Sequence, residues 1–234
     1  MKPVQLRMPL AIVAIVCIAG TANAQEIRYS WLDMSFMSQD VARAGSLTPL
    51  PGQVVDVNVT DGSGIRFRGS LGTWRNFYLM VDYGSTDIDL TGAVTNVMGT
   101  QPFEDEFDYT TIRGGIGLRF TVFGNTDIFG EITYDSLDLD FGSFAGEDFD
   151  MSRQDLGGTL GIRTLLGDHF EFRVHGRRTP VGDANLTTGF FESDTLFGAG
   201  FGWELVRGFA IVGDFESGEF SSWSVGFRMD LDED

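Results

Sequence analysis

Thr110-Thr111-Ile112-Arg113-Gly114-Gly115-Ile116-Gly117-Leu118-Arg119-Phe120 decides how the rest of the chain is read. Ile112, Ile116, Leu118 and Phe120 fall on one side of an extended chain, and Arg113, Gly115, Gly117 and Arg119 fall on the other. A period of two is that of a β-strand, whose successive side chains point to opposite faces. Two glycines among two arginines on the polar face rule out an amphipathic helix and suit a crowded interior.

The same alternation recurs on both sides of this stretch. It is found in Ser63–Gly72, Phe77–Tyr83, Ile128–Asp135, Gln154–Leu165, Phe170–Arg177, Phe197–Leu205, Phe209–Glu216 and Trp223–Leu231, and more weakly in Tyr29–Phe36. Ten strands in all, an even number, predict an all-β, closed, antiparallel up-and-down barrel with both termini on one side; eight strands is the alternative count. The links alternate in length. Thr73–Asn76, Phe123–Thr126, Leu166–Asp168 and Val206–Gly208 are short, whereas Met37–Gly62 and Leu90–Glu106 read as long loops. Phe141–Ser152 and Thr179–Glu192 are of medium length, and the last link, Ser217–Ser221, is short. Short turns on one side and longer loops on the other mark a transmembrane barrel. The apolar face carries aromatics near both strand ends, with Phe77, Phe120, Phe170, Trp203 and Phe209 at one and Tyr83, Tyr134, Phe197, Phe215 and Trp223 towards the other. They resemble the two girdles of a membrane-spanning barrel. The opposite arrangement, apolar inside and charged outside, would be a soluble lipocalin-like barrel.

The first residues carry Lys2 and Arg7, a short apolar run from Leu10 to Ala19, and Ala22-Asn23-Ala24. This reads as a secretory signal peptide, residues 1–24, followed by one barrel domain, residues 25–234. Loss of that segment removes Cys17, the only cysteine, and leaves 14 arginines against 34 acids, a net charge of −20. Such a chain makes no disulfide and no thiolate metal site. A nucleic-acid partner is excluded, because phosphate binding needs a basic face.

The chemistry lies on the polar face. Its positive members are Arg66, Arg68, Arg113, Arg119, Arg163, Arg173, Arg177 and Arg228. Its acids are Asp82, Glu131, Asp135, Asp155, Glu171, Glu204, Asp214, Glu216 and Asp230, with His175 among them. Eight positive charges against nine negative ones predict an ion-paired network that fills and plugs the lumen, because a buried charge must be paired or hydrated. A narrow channel or a small-ligand site is the alternative. An outer-membrane enzyme is the third reading, and it lacks a histidine near the outer loops, since His169 falls at a short turn. Gly114-Gly115-Ile116-Gly117 lacks the following helix that a nucleotide-binding turn requires. No catalytic residue, metal ligand or cofactor is predicted. The outer loops are acidic, with a net charge of −11 between the strand limits given above. Bridging by Ca²⁺ or Mg²⁺ to lipopolysaccharide phosphates is one use for such carboxylates.

Tyr29-Ser30-Trp31-Leu32-Asp33, Asp61-Gly62-Ser63-Gly64 and Asn76-Phe77-Tyr78-Leu79 carry a resemblance. The chain resembles the small outer-membrane β-barrel proteins of proteobacteria, within the outer membrane protein A-like barrel superfamily, and among them the diffusible-signal-factor-regulated group. Ser224–Leu231 is similar to the C-terminal signal that barrel-insertion machinery reads, although Asp232-Glu233-Asp234 follows where a terminal aromatic is usual. The resemblance implies a Gram-negative outer-membrane location, with extracellular loops and periplasmic termini. It also implies contact with lipid, lipopolysaccharide and the insertion machinery, and carries no catalytic residues. The expected role is porin-like in shape, structural or surface-interacting, and monomeric.

Overall fold

A computed structural model describes residues 27–231, apart from 48–51, 53, 75, 145–146, 186–189 and 219–220. The segment read as a signal peptide lies outside the described residues. Period-two alternation gives ten strands: β1 (Trp31–Leu47), β2 (Val54–Trp74), β3 (Phe77–Asn96), β4 (Gly99–Thr121), β5 (Thr126–Phe144), β6 (Glu147–Leu166), β7 (Phe170–Asn185), β8 (Phe190–Val206), β9 (Phe209–Ser217) and β10 (Ser221–Asp230). Each pairs antiparallel with the next, and β1 closes the ring on β10 from Trp31↔Asp230 to Asp40↔Ser221. At one end the strands are joined by tight turns, three of which place Gly124, Gly167 and Gly208 at φ of 67°, 71° and 78°. That left-handed region is nearly free only for glycine.

The faces are inverted relative to a soluble barrel. Ile116 is 58% exposed and Phe227 55% exposed on the outside, whereas Arg66 and Arg68 are buried inside. An apolar belt wrapped around a charged interior is stable only where lipid replaces water on the outside, so the chain is a transmembrane β-barrel.

The long links of the sequence reading are a correction. Most of Met37–Gly62 and Leu90–Glu106 is strand, because β1–β4 run on past the apolar belt. The period of two persists there while the polarity reverses. In β3, Leu79 and Val81 face outward opposite buried Asp82; farther along, Asp87 and Asp89 face outward and Ile88 is fully buried. In β5, Ile132 and Tyr134 face outward; beyond Asp135, Leu137 and Leu139 are buried while Asp140 is exposed. β4 matches, with Phe107 and Tyr109 buried and Asp108 exposed. The registers Ile88↔Phe107 and Tyr109↔Leu139 set these apolar side chains beside one another. Burial of each contributes about 1.5–3 kcal/mol, so the same strands form a membrane barrel below and a water-facing sheet with an apolar inner face above.

The wall is uneven in height. β4 has 23 residues and β10 has 10. At roughly 3.3 Å per residue and a tilt of about 40°, β4 rises some 60 Å against a belt of about 25 Å. The β6·β7 ladder ends at Gly158↔Arg178, although β5·β6 continues to Phe144↔Glu147. Pro180 follows Arg178 closely and has no N–H for a ladder, and β7 carries an irregularity between Thr179 and Asp183.

Candidate functional site

Inward alternation delivers the charged side chains of all ten strands into one lumen, where they pair in tiers. In the middle tier, Asp82 on β3 accepts from Arg66 Nε and Nη2 at 2.9 and 2.6 Å and from Arg113 Nη2 at 3.1 Å. Glu216 on β9 takes His175 Nε2 at 2.8 Å and Arg177 Nη2 at 2.9 Å. Thr179 Oγ1 donates to Asp135 at 2.8 Å. In the tier below, Arg68 bridges Asp33 and Asp214 at 2.5 Å each, and Arg173 also pairs with Asp214. Glu171 holds Arg163 at 2.6 Å and Arg228 at 3.1 Å, and Arg228 Nε lies 3.2 Å from Asp230. Charge-assisted hydrogen bonds of this length are about twice as strong as neutral ones. They offset the cost of burying each charge instead of adding a large surplus.

A strap formed by residues 27–30 crosses the mouth at the tight-turn end. Arg119 Nη1 donates to the Ile27 carbonyl at 2.9 Å, and Leu231 N donates to the Ser30 carbonyl at 2.8 Å. Arg28 lies 3.3 Å from Asp230 and 4.0 Å from Glu204. Tyr29 packs on Tyr78 with ring centroids 4.7 Å apart, under the guanidinium groups of Arg119 at 4.5 Å and Arg163 at 4.8 Å. Each such cation–π contact is worth about 0.5–2 kcal/mol. Burial pushes the Tyr29 phenol above its ordinary pKa, so it stays protonated. Tyr78 donates to Glu131 Oε1 at 2.9 Å. Its ring lies where a Cβ on Gly117 would be, 2.0 Å from one ring carbon, which is why glycine stands opposite it on the polar face of β4.

The structure places seventeen of the eighteen sequence-predicted lumen residues on the buried or half-buried inner face. Asp155 stands apart: its side chain is 56% exposed and lies 3.9 Å from Arg153, just above the point where the β6·β7 ladder ends. Arg119 pairs with Asp127 at 3.6 Å. Sequence reasoning left out Asp33, Asp127 and the strap. Asp33 is legible from the alternation in β1 and Asp127 sits at the head of β5, but Tyr29 and Ser30, expected to open the first strand, belong to the strap, because β1 begins only at Trp31. His169 is exposed at a turn, 3.9 Å from Glu204. Among the described residues no group of three or more His, Cys, Asp or Glu is placed to hold a metal ion.

Small cavities remain among the tiers, and two of them adjoin the middle tier. One, of about 50 Å³, lies between the strap and the middle tier; the other, of about 60 Å³, extends from the middle tier to Tyr109 and Gln39. Arg66, Arg113 and Glu216 line both. A water needs roughly 10–15 Å³ on this measure, so each cavity has room for a few waters.

No family model matches the chain, and no curated protein does. Solved structures with a similar course are outer-membrane β-barrels. The β-domain of the Bordetella autotransporter BrkA is 11% identical, over 87% of this chain and 99% of that one, with a TM-score of 0.48. The outer membrane protein OprG from Pseudomonas aeruginosa is 10% identical, over 90% and 100%, with a TM-score of 0.47. Ail, the attachment invasion locus protein of Yersinia pestis, is 10% identical, over 86% and 99%, with a TM-score of 0.38. The similarity is one of barrel architecture.

Proposed function

We propose that this chain is a non-enzymatic outer-membrane barrel with a plugged lumen, whose role is carried at the cell surface by its projecting acidic hairpins. The carrying observation is that the charged lumen is paired tier upon tier and capped by the strap, while β2–β6 rise far above the apolar belt. The tight turns and both chain ends belong to the periplasmic side in this reading and the tall hairpins to the outside, because export leaves short turns on the near side. Asp87, Asp108 and Asp140 stand in register on adjacent strands just above the belt. Carboxylates at that height are suited to Mg²⁺- or Ca²⁺-mediated contact with lipopolysaccharide phosphates. The closed ladder leaves no membrane-level strand edge to recruit a second copy, which supports a monomer.

Planar-bilayer recording tests the plug. The purified chain is expected to give no stable single-channel steps, and a chain lacking residues 27–30 to give no more than brief ones. Sustained steps from the intact chain would refute the plugged reading and favour a channel.

A further inference from the structure

The cavity beneath the middle tier differs from its neighbour in charge and in hydrogen-bond balance. Five arginines and three acids line it, whereas three of each line the upper cavity. Two of its three acids have both oxygens engaged, and the third, Glu131, accepts from Tyr78 through Oε1. Both oxygens of Asp214 are engaged by Arg68 and Arg173, and both oxygens of Glu216 by His175 and Arg177.

Its donors are not used up. Arg113 spends Nη2 on Asp82 and leaves Nε and Nη1 buried without a partner. Arg163 spends Nη2 on Glu171 and leaves Nε so, and Trp31 Nε1 is also unpartnered. Three further lining hydroxyls, those of Tyr29, Ser70 and Thr159, are buried with no hydrogen-bond partner. Leaving a buried donor unsatisfied costs about 1–3 kcal/mol, more for a charged group. Seven such atoms around one small space call for a molecule that accepts many hydrogen bonds and carries negative charge.

We propose that this cavity is a binding site for one compact oxyanion, an inorganic phosphate or a short carboxylate such as acetate, held chiefly by Arg113 and Arg163 with Thr159 and Trp31 as further donors. Water can serve the three hydroxyls, which accept as well as donate, but it brings no negative charge to set against the unspent guanidinium N–H groups of Arg113 and Arg163. The volume admits an ion the size of a few waters and excludes a sugar acid. The strap forms the floor through Tyr29, so the ion is enclosed from the tight-turn side. This site is independent of the surface role proposed above, and a barrel that conducts nothing can still hold it.

The test uses the full chain folded in detergent micelles at fixed ionic strength. Sodium gluconate, too large for the cavity, is replaced stepwise by acetate in one arm and by phosphate in the other. Thermal unfolding and the Nε–H resonances of arginine are followed in both. Acetate, phosphate or both should raise Tm saturably and shift the Arg113 and Arg163 resonances. The arm with the lower Kd identifies the ion. Arg113→Gln should weaken binding at least tenfold, and Thr159→Val, an isosteric change that keeps the packing, about threefold. Ser222→Ala, at a residue that lines the upper cavity and not the lower one, should leave the affinity within twofold. If Arg113→Gln fails to fold, Thr159→Val decides. No saturable shift in either arm, or equal affinity in wild type and Thr159→Val, overturns the site and leaves a water-filled cavity. Neither result bears on conductance.

Discussion

Asp82 gives the sharpest check on the idea that the lumen is held closed by paired charge. Its carboxylate accepts three hydrogen bonds from two guanidinium groups, at 2.9, 2.6 and 3.1 Å, and the residue is 7% exposed. Asp82→Asn keeps the shape but strands Arg66 and Arg113 as two positive charges around a neutral amide. Breaking one side of a buried pair typically costs about 3–5 kcal/mol, since the remaining charge stays desolvated. The ratio of folded to unfolded chain at a fixed urea concentration should thus fall by roughly two to three and a half orders of magnitude, at about 1.4 kcal/mol per decade. Replacing the whole triad by apolar side chains of similar size, Asp82→Leu with Arg66→Met and Arg113→Met, removes the stranded charge, and such replacements are often neutral. The triple variant should therefore recover most of the stability that the single variant loses. Reversible urea unfolding in phospholipid bilayers, followed by tryptophan fluorescence, measures both. If Asp82→Asn lies within about 0.5 kcal/mol of wild type, the size expected of a surface substitution away from any such feature, the lumen is hydrated enough to absorb a lone charge and the argument for a plug fails. If the triple variant is as unstable as the single one, the loss comes from packing and not from charge.

Two further outcomes follow from the outer surface. Ile116 lies midway along the lipid-facing side of β4, between Ile112 and Phe120, so Ile116→Arg should cost about 2–4 kcal/mol and Phe120→Arg, at the belt's edge, about 0–1 kcal/mol, measured by the same urea titrations. Above the belt, partial desolvation, a hydrogen bond with Asp87 and the charges of Asp87 and Asp140 push the Asp108 carboxyl above its ordinary pKa. A group whose folded pKa is raised contributes stability at low pH that is lost as pH rises through the folded value. Protection factors of the Asp87 and Asp108 amides should accordingly be higher at pH 4 than at pH 7 once intrinsic exchange is normalised, and Asp87→Asn should abolish the difference; protection that rises with pH would contradict the repulsion.

The barrel itself was legible because β2–β5 and β7–β10 each place apolar side chains two apart over about a membrane's thickness. The stretches beyond the belt obey the same period but look like loops in the sequence. In Ile88-Asp89-Leu90 and Leu137-Asp138-Leu139 the apolar phase points inward, so a search for outward apolar residues stops at Tyr83 and Tyr134. The lumen partners could be placed on a face but not paired. Which acid meets which arginine depends on registers and on reach across the ring, as with Arg68 on β2 touching Asp214 on β9. Asp155 shows the limit of alternation alone: it points along the inner face of β6, but the β6·β7 ladder has already ended, so water reaches it.

The strap takes its partners from Arg119 on β4, Arg163 on β6, Glu204 on β8 and Asp230 on β10, strands spread around the whole circumference. All four can be gathered at once only when the ring is complete, and Leu231, just past the last strand, supplies the hydrogen bond to Ser30. The first described residues of the chain are thus the last to find their seat. A partly closed ring has an open floor, and the stopper reports, by being in place, that every strand has arrived.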